Sequence, residues 1–201
     1  KHKKNDFIFA FIGMFIIASL TITLLILFLD LFFDGYPRLG LEFFSNYPSR
    51  KAIQAGILSA WIGSSLVLIV TFLVAVPMGI AAGVYLEEYA KKNWLSDLIE
   101  INVSNLAGVP SIIYGLLALG LFVYSFGLGQ SILTAGLTLA LLMLPVVIVA
   151  TRESIRAIPV HIREAAFAVG ATKWQVVLNH VIPYSYGGIL TGVIIGMARA
   201  I

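Results

Sequence analysis

Residues 158–183 read IPVHIREAAFAVGATKWQVVLNHVIP and lie between two long apolar runs. The stretch carries Arg163, Glu164 and Lys173, which makes it too amphipathic to cross a bilayer. A crossing takes about 20 consecutive, predominantly apolar residues. The segment therefore belongs at a water-facing surface, joining two spans. Pro159 suits a first helical position, where its missing N–H costs nothing, and Gly170 suits the left-handed residue just past a helix end. These two signals predict one helix over about 159–169. Thr172 and Gln175 stand three apart, as a hydroxyl and an amide must to cap each other's backbone donors. They predict the start of a second helix that runs toward Pro183. On the first helix, Ile162, Ala166 and Val169 are expected to share a face, with Ala165 alongside, by the i, i+4, i+7 spacing. The small alanines let another surface come close.

The whole composition fits that placement. Apolar residues make up 60% of the chain without counting glycine, above the roughly 45 to 50% that soluble domains reach with glycine included. Charged residues are 11% and sit mostly between apolar runs, so the expected class is an all-α, polytopic transmembrane helical bundle. A net charge of +3 is accounted for by membrane orientation and calls for no nucleic-acid partner. With no cysteine in the chain, disulfides, thiolate zinc sites and cysteine nucleophiles are excluded.

Outward from the central stretch, five spans are recognisable. A charge-free run from Phe7 to Leu29 follows Lys1, Lys3 and Lys4; at 23 residues it exceeds the apolar core of a secretory signal, about 7 to 15 residues, and reads as a retained first span. A polar loop from Asp30 to Lys51 follows, with room for one short surface helix and with Phe43 and Phe44 as candidate anchors. The second run, from about Ala55 to Leu86, contains Pro77 and a small-residue stripe at Ala75, Gly79 and Gly83 suited to close helix packing. Glu87 to Glu100 reads as a short charged connection, with Glu87 and Glu88 as a solvated membrane edge.

The third span, Val103 to Phe126, begins irregularly at Asn105, Gly108, Pro110 and Ser111. Non-helical backbone at membrane depth survives where protein buries it or where it lines a wet cavity. Asn105 to Ser111 is thus a candidate pathway element; the alternative is a helix that simply starts at Pro110. A fourth span runs from about Ile132 to Ala150. The fifth starts near Tyr184 and is still apolar at Ile201, which predicts a single transmembrane domain over 1–201 that is incomplete at its C-terminus.

Basic residues set the expected orientation. A cytoplasmic N-terminus places Lys1, Lys3, Lys4, Lys91, Lys92, Arg152, Arg156, Arg163 and Lys173 inside, against Arg38, Arg50 and Lys51 outside, in keeping with the positive-inside rule. Residues 158–183 then face the cytoplasm of a multi-pass cell-membrane protein. The sequence has no G-x-x-x-x-G-K-[ST] phosphate cradle, so any ATP-derived energy must come from a partner, and its three histidines form no metal-ligand pattern. No catalytic constellation is present.

Glu164, Ala165, Ala166 and Gly170, with Pro183 thirteen residues beyond the glycine, resemble the EAA loop of ABC importer permeases. His180 and Ile182 stand where that pattern has isoleucine and leucine. The runs NLAGVPSIIYG at 105–115, GLGQSILTAGLTLALLMLPVVIVATRE at 127–153, GATKWQ, and GILTGVIIGMARAI at the end are similar to the PstA family of phosphate ABC transporter permeases. That resemblance implies a type I importer permease fold of six helices and a coupling loop that docks on a PstB-like ATPase dimer, which would bind ATP and magnesium. It also implies a PstC-like sister permease and an extracytoplasmic phosphate-binding protein, with no cofactor in this chain itself. Molybdate or sulfate permeases remain an alternative, as does an ATP-independent channel or secondary transporter.

Arg199 is the one charge well inside an apolar run, about 22 Å along the helix from Tyr184 at 1.5 Å per residue. An arginine there costs roughly 2.5 to 3.5 kcal/mol unless it faces protein or water. It lies beside the small-residue stripe Gly188, Gly192, Gly196 and Ala200, and joins Asn105 and Ser111 as a candidate pathway residue. The alternative is an Arg–Glu pair that fixes helix packing.

Overall fold

The computed structural model describes residues 2–91 and 93–200, and all regular structure among them is helical. They fall into two compact units, Lys1–Trp61 and Ile62–Ile201. In the first unit the apolar N-terminal run forms α1 (His2–Gly35), six residues longer than the charge-free run Phe7 to Leu29 at its C-terminal end. Its hydroxyls at Ser19, Thr21 and Thr23 bond back to carbonyls three or four residues earlier on the same helix, so they need no external partner in an apolar setting. A 3-10 turn at Tyr36–Arg38 and the short α2 (Leu41–Ser45) follow. Residues after α2 are stitched back onto it: Ile57 N–H bonds Phe43 O at 2.9 Å, Leu58 N–H bonds Asn46 O at 3.0 Å, and Trp61 Nε1 donates to Phe44 O at 3.0 Å. A side chain at Gly56 would run into the Asn46 and Phe43 carbonyls, so the close approach requires glycine.

The second unit is built on α6 (Ile132–Arg156). Ser131 caps it by accepting from Thr134 N–H at 3.2 Å, after a turn in which Gly127 and Gly129 hold φ of +67° and +64°. Two helices lie against it through the small-residue stripes. On α3 (Leu58–Val84), a Cβ at Gly79 would come 2.7 Å from Val147 and one at Gly83 2.7 Å from Thr151. Thr71 of α3 donates to Gly136 O of α6 at 3.2 Å. On α9 (Ile182–Ala200), a Cβ at Gly188 would strike Ser154, at Gly192 Ala150, and at Gly196 the Met143 side chain at 2.9 Å. Backbones this close gain dispersion contact that lipid tails do not offer more cheaply, which is how helices associate in a bilayer. Met143 and Val147 are sealed between the stripes, each 1% exposed, with Ile189 and Val193 beside them.

The third span differs from its expected form. Residues 94–106 make a helix, α4 (Trp94–Leu106), opened by Asn93, whose side chain accepts from Ser96 N–H. The charged connection therefore ends at Asn93, not at Glu100; Asp97 and Glu100 are helix residues flanked by apolar neighbours at 94, 95, 98 and 99. After a break, α5 (Ser111–Ala118) continues into a wide turn over Leu119–Ser125. The two pieces are bent by 102°. Among the described residues, four helices are long and apolar enough to cross a membrane, and the bent pair makes a fifth if it is counted as one span.

Candidate functional site

Residues 158–183 fold as two helices joined at Gly170, as their turn signals predict, but the first is one residue shorter at each end than 159–169 and the second is longer than expected. Pro159 precedes α7 (Val160–Ala168), Gly170 takes φ +85°, and Thr172 with Gln175 forms a reciprocal cap at the start of α8 (Lys173–Val176). The second helix does not stop near Pro183. It passes through a wide turn at Val177–Val181 straight into α9, giving one helical rod over Lys173–Ala200. Proline lacks an N–H and its ring crowds the carbonyl four residues earlier, here that of Asn179. The wide turn contains that carbonyl, and such a turn supplies the slack that an interior proline needs.

The faces of α7 are now assigned. Ala166 is 5% exposed and belongs to a core with Ile155, Ile158, Val176, Val177 and Val181, so it faces this chain's own interior. Val169 lies past the helix end and is 85% exposed, which removes it from the face that Ile162 and Ala166 share. Glu164, Ala165, Phe167 and Ala168 are exposed and form the outward surface, beside Gly170.

Beneath α7 lies a network of charges. Arg163 donates to Glu88 Oε1 from Nε at 3.1 Å and from Nη2 at 2.9 Å, and to the carbonyls of Ile158 and Ile155 at 3.1 and 2.9 Å. The Ile155 carbonyl, in the last turn of α6, also accepts from Ile158 N–H at 3.2 Å, and Ile158 follows the helix end, so Arg163 ties α7 to the C-terminal end of α6. Glu87 Oε2 lies 3.4 Å from Arg152 Nε and 2.9 Å from Arg156 Nε. Glu100 meets Arg152 at 2.6 Å and Arg156 at 3.1 Å. The Glu87 and Glu88 side chains are only 19% and 12% exposed. They are not a solvated edge. The wide turn at Tyr85–Tyr89 carries them into contact with different helices, which helical spacing alone does not predict.

The other candidate residues converge at the break between α4 and α5. Gly108 and Val109 N–H groups bond Asn105 O and Leu106 O at 3.0 and 3.1 Å. The Tyr114 hydroxyl donates to Leu106 O at 2.9 Å, and Arg199 Nη1 donates to Ala107 O at 2.9 Å. α4 ends at Leu106 and α5 begins at Ser111, after Pro110, with an irregular link between them. Asn105 and Ser111 flank that link and are exposed. Arg199 thus meets the Asn105–Ser111 segment itself, through a backbone carbonyl and not through a carboxylate. Tyr114 and the Glu88–Arg163 pair had no signal in the sequence, because their roles come from contacts made across the fold.

Residues 75–201 match the family described as binding-protein-dependent transport system inner membrane component. The chain is 32% identical over 189 residues to a probable ABC transporter permease protein, YqgI, of Bacillus subtilis (strain 168), covering 93% of this chain and 64% of that protein. It is 38% identical over 151 residues to the phosphate transport system permease protein PstA of Mycobacterium leprae (strain TN), covering 75% and 49%. To PstA of Yersinia pestis it is 33% identical over 170 residues, covering 82% and 56%. The chain spans about half to two-thirds of the length of these curated relatives.

Proposed function

The chain belongs to the family of binding-protein-dependent transport system inner membrane components, and from that premise we propose that it is a permease subunit of an ATP-driven importer for inorganic phosphate. The observation that carries the substrate is the 38% identity with a PstA permease across three-quarters of the chain. In this reading the N-terminus and residues 158–183 are cytoplasmic, and the outward face of α7, with Glu164, Ala165 and Gly170, receives a separate ATPase dimer that binds ATP and magnesium. A sister permease completes the pathway, and an extracytoplasmic binding protein delivers the anion. Ala166 contributes by letting α7 lie close on its core.

Arg199 and the break beside it form this chain's share of the pathway. The guanidinium has further N–H donors in a planar fork beyond the one given to Ala107, and such a fork matches the oxygens of phosphate in a way a lysine does not. Asn105 and Ser111 add neutral polar groups at the same break. ATP hydrolysis by the full-length complex in lipid vesicles tests the reading: phosphate presented by its binding protein should stimulate it and be taken up. Equal stimulation by molybdate or sulfate, for which the similarity to the permease YqgI leaves room, would assign another oxyanion. Uptake without any ATPase partner would return the chain to the channel or secondary-transporter class.

A further inference from the structure

We propose that the wide turn Tyr85–Tyr89 is a clasp that makes α3 and α6 move with residues 158–183, and that Glu87, Glu88 and Tyr89 are its positioning residues. The turn closes with a bond from Ala90 N–H to Tyr85 O, five residues back, at 2.9 Å. Wide turns of this kind recur at functional sites. Here three consecutive side chains hold three different elements. Glu87 holds Arg152 and Arg156 on α6. Glu88 holds Arg163 on α7 through two guanidinium nitrogens. The Tyr89 ring lies 4.9 Å beneath the Lys173 ammonium at the start of α8.

The middle grip is the strongest. Glu88 and Arg163 are 12% and 20% exposed, so water screens them less than it screens a surface pair, and Arg163 simultaneously bonds the Ile155 and Ile158 carbonyls at the C-terminal end of α6. A push on α7 therefore reaches α6 by Arg163 directly and α3 by way of Glu88. Lys173 carries the same displacement into the rod that bears Arg199. None of these residues lies on the outward face assigned to the ATPase.

This clasp rests on the reading of residues 158–183 as the segment that an ATPase moves, and the experiment separates the two. The full-length permease is purified with its sister permease and ATPase and placed in lipid vesicles as wild type, Glu88→Gln, Glu88→Asp and Tyr89→Leu. In Glu88→Gln, the complex should co-purify and hydrolyse ATP within about twofold of wild type while phosphate uptake per ATP falls about tenfold, the size of a typical coupling between sites. Glu88→Asp, which keeps the charge, should recover most of the ratio, and Tyr89→Leu should lose less of it. Hydrogen exchange is read in parallel: Glu88→Gln should speed exchange in Val160–Ala168 and leave residues 132–150 unchanged.

Unchanged uptake per ATP in Glu88→Gln overturns the clasp, as does equal loss in Glu88→Asp. Loss of assembly in both Glu88→Gln and Tyr89→Leu assigns these residues to folding and also overturns it. If the wild-type complex couples no ATP hydrolysis to uptake, the proposed function fails; the exchange measurement still decides whether the turn holds α7.

Discussion

Two interruptions of helix in this chain are equal in length and opposite in construction. Val169–Thr172 joins α7 to α8 and completes itself. Gly170 supplies the left-handed conformation, its N–H bonds Phe167 O, Ala171 N–H bonds Ala166 O, and Thr172 exchanges bonds with Gln175. Every partner lies within five residues. Ala107–Pro110 joins α4 to α5 and borrows: its N–H groups close locally, but the carbonyls of Leu106 and Ala107 receive donors from Tyr114 and from Arg199, the latter 92 residues away. A turn at a water-facing surface can leave spare acceptors to solvent. One between apolar helices must find them donors in protein. The first is consequently a rigid local unit, while the shape of the second depends on where α9 stands.

Substitution should separate the two most sharply at Arg199. A hydrogen bond to a charged group is worth roughly 1.5 to 3 kcal/mol, so Arg199→Leu should reduce phosphate uptake by at least tenfold to hundredfold, each 1.4 kcal/mol being about tenfold. The subunit should remain in the assembled complex, and Arg199→Lys should be impaired less. Near-normal uptake by Arg199→Leu would show that the break holds itself, and the contrast would disappear. At the other interruption, Gly170→Val forces a β-branched residue into the left-handed region at roughly 1 to 2 kcal/mol. Its expected signature is ATP hydrolysis that continues while uptake drops about tenfold, because the local unit is distorted and the pathway is not.

The smallest effects should come from single supporting bonds. Tyr114→Phe removes one donor worth about 1 kcal/mol and should lower uptake severalfold at most, since Val109 N–H still bonds Leu106 O. Thr172→Ala removes a cap worth about 1 kcal/mol, and its effect should appear as faster hydrogen exchange in Lys173–Val176 with uptake close to normal. If Thr172→Ala disturbs uptake more than Tyr114→Phe does, the self-contained unit is the more consequential of the two.

What could be read from the sequence follows the same division. Gly170, the Thr172–Gln175 cap and the small-residue stripes of α3 and α9 were legible because their partners are a few residues away or recur with the helical period. Glu88 with Arg163, 75 residues apart, and Arg199 with Ala107 carry no periodic trace. Ala166 illustrates a narrower limit: its resemblance to a motif position marked it as notable without saying which way it points, and it points inward. Asp97 and Glu100 make residues 94–100 read as a charged connection, whereas the Asn93 cap already opens α4 there. Glu87 and Glu88 read as solvent-facing when ordinary α-helical spacing is applied to them, and the turn that carries them is a wide one.

The absence of a joint at Pro183 has a mechanical consequence. From Lys173 to Gly188, where α9 rests on Ser154 of α6, is about 22 Å along the axis, and from Gly188 to Arg199 about 16 Å, at 1.5 Å per residue. The rod is held along both stretches, at Val176, Val177 and Val181 in the core beneath α7 and at Gly188, Gly192 and Gly196 on α6. With no joint between them, a displacement imposed at Lys173 has to be shared by the whole rod, and its far stretch carries the hydrogen bond from Arg199 to Ala107.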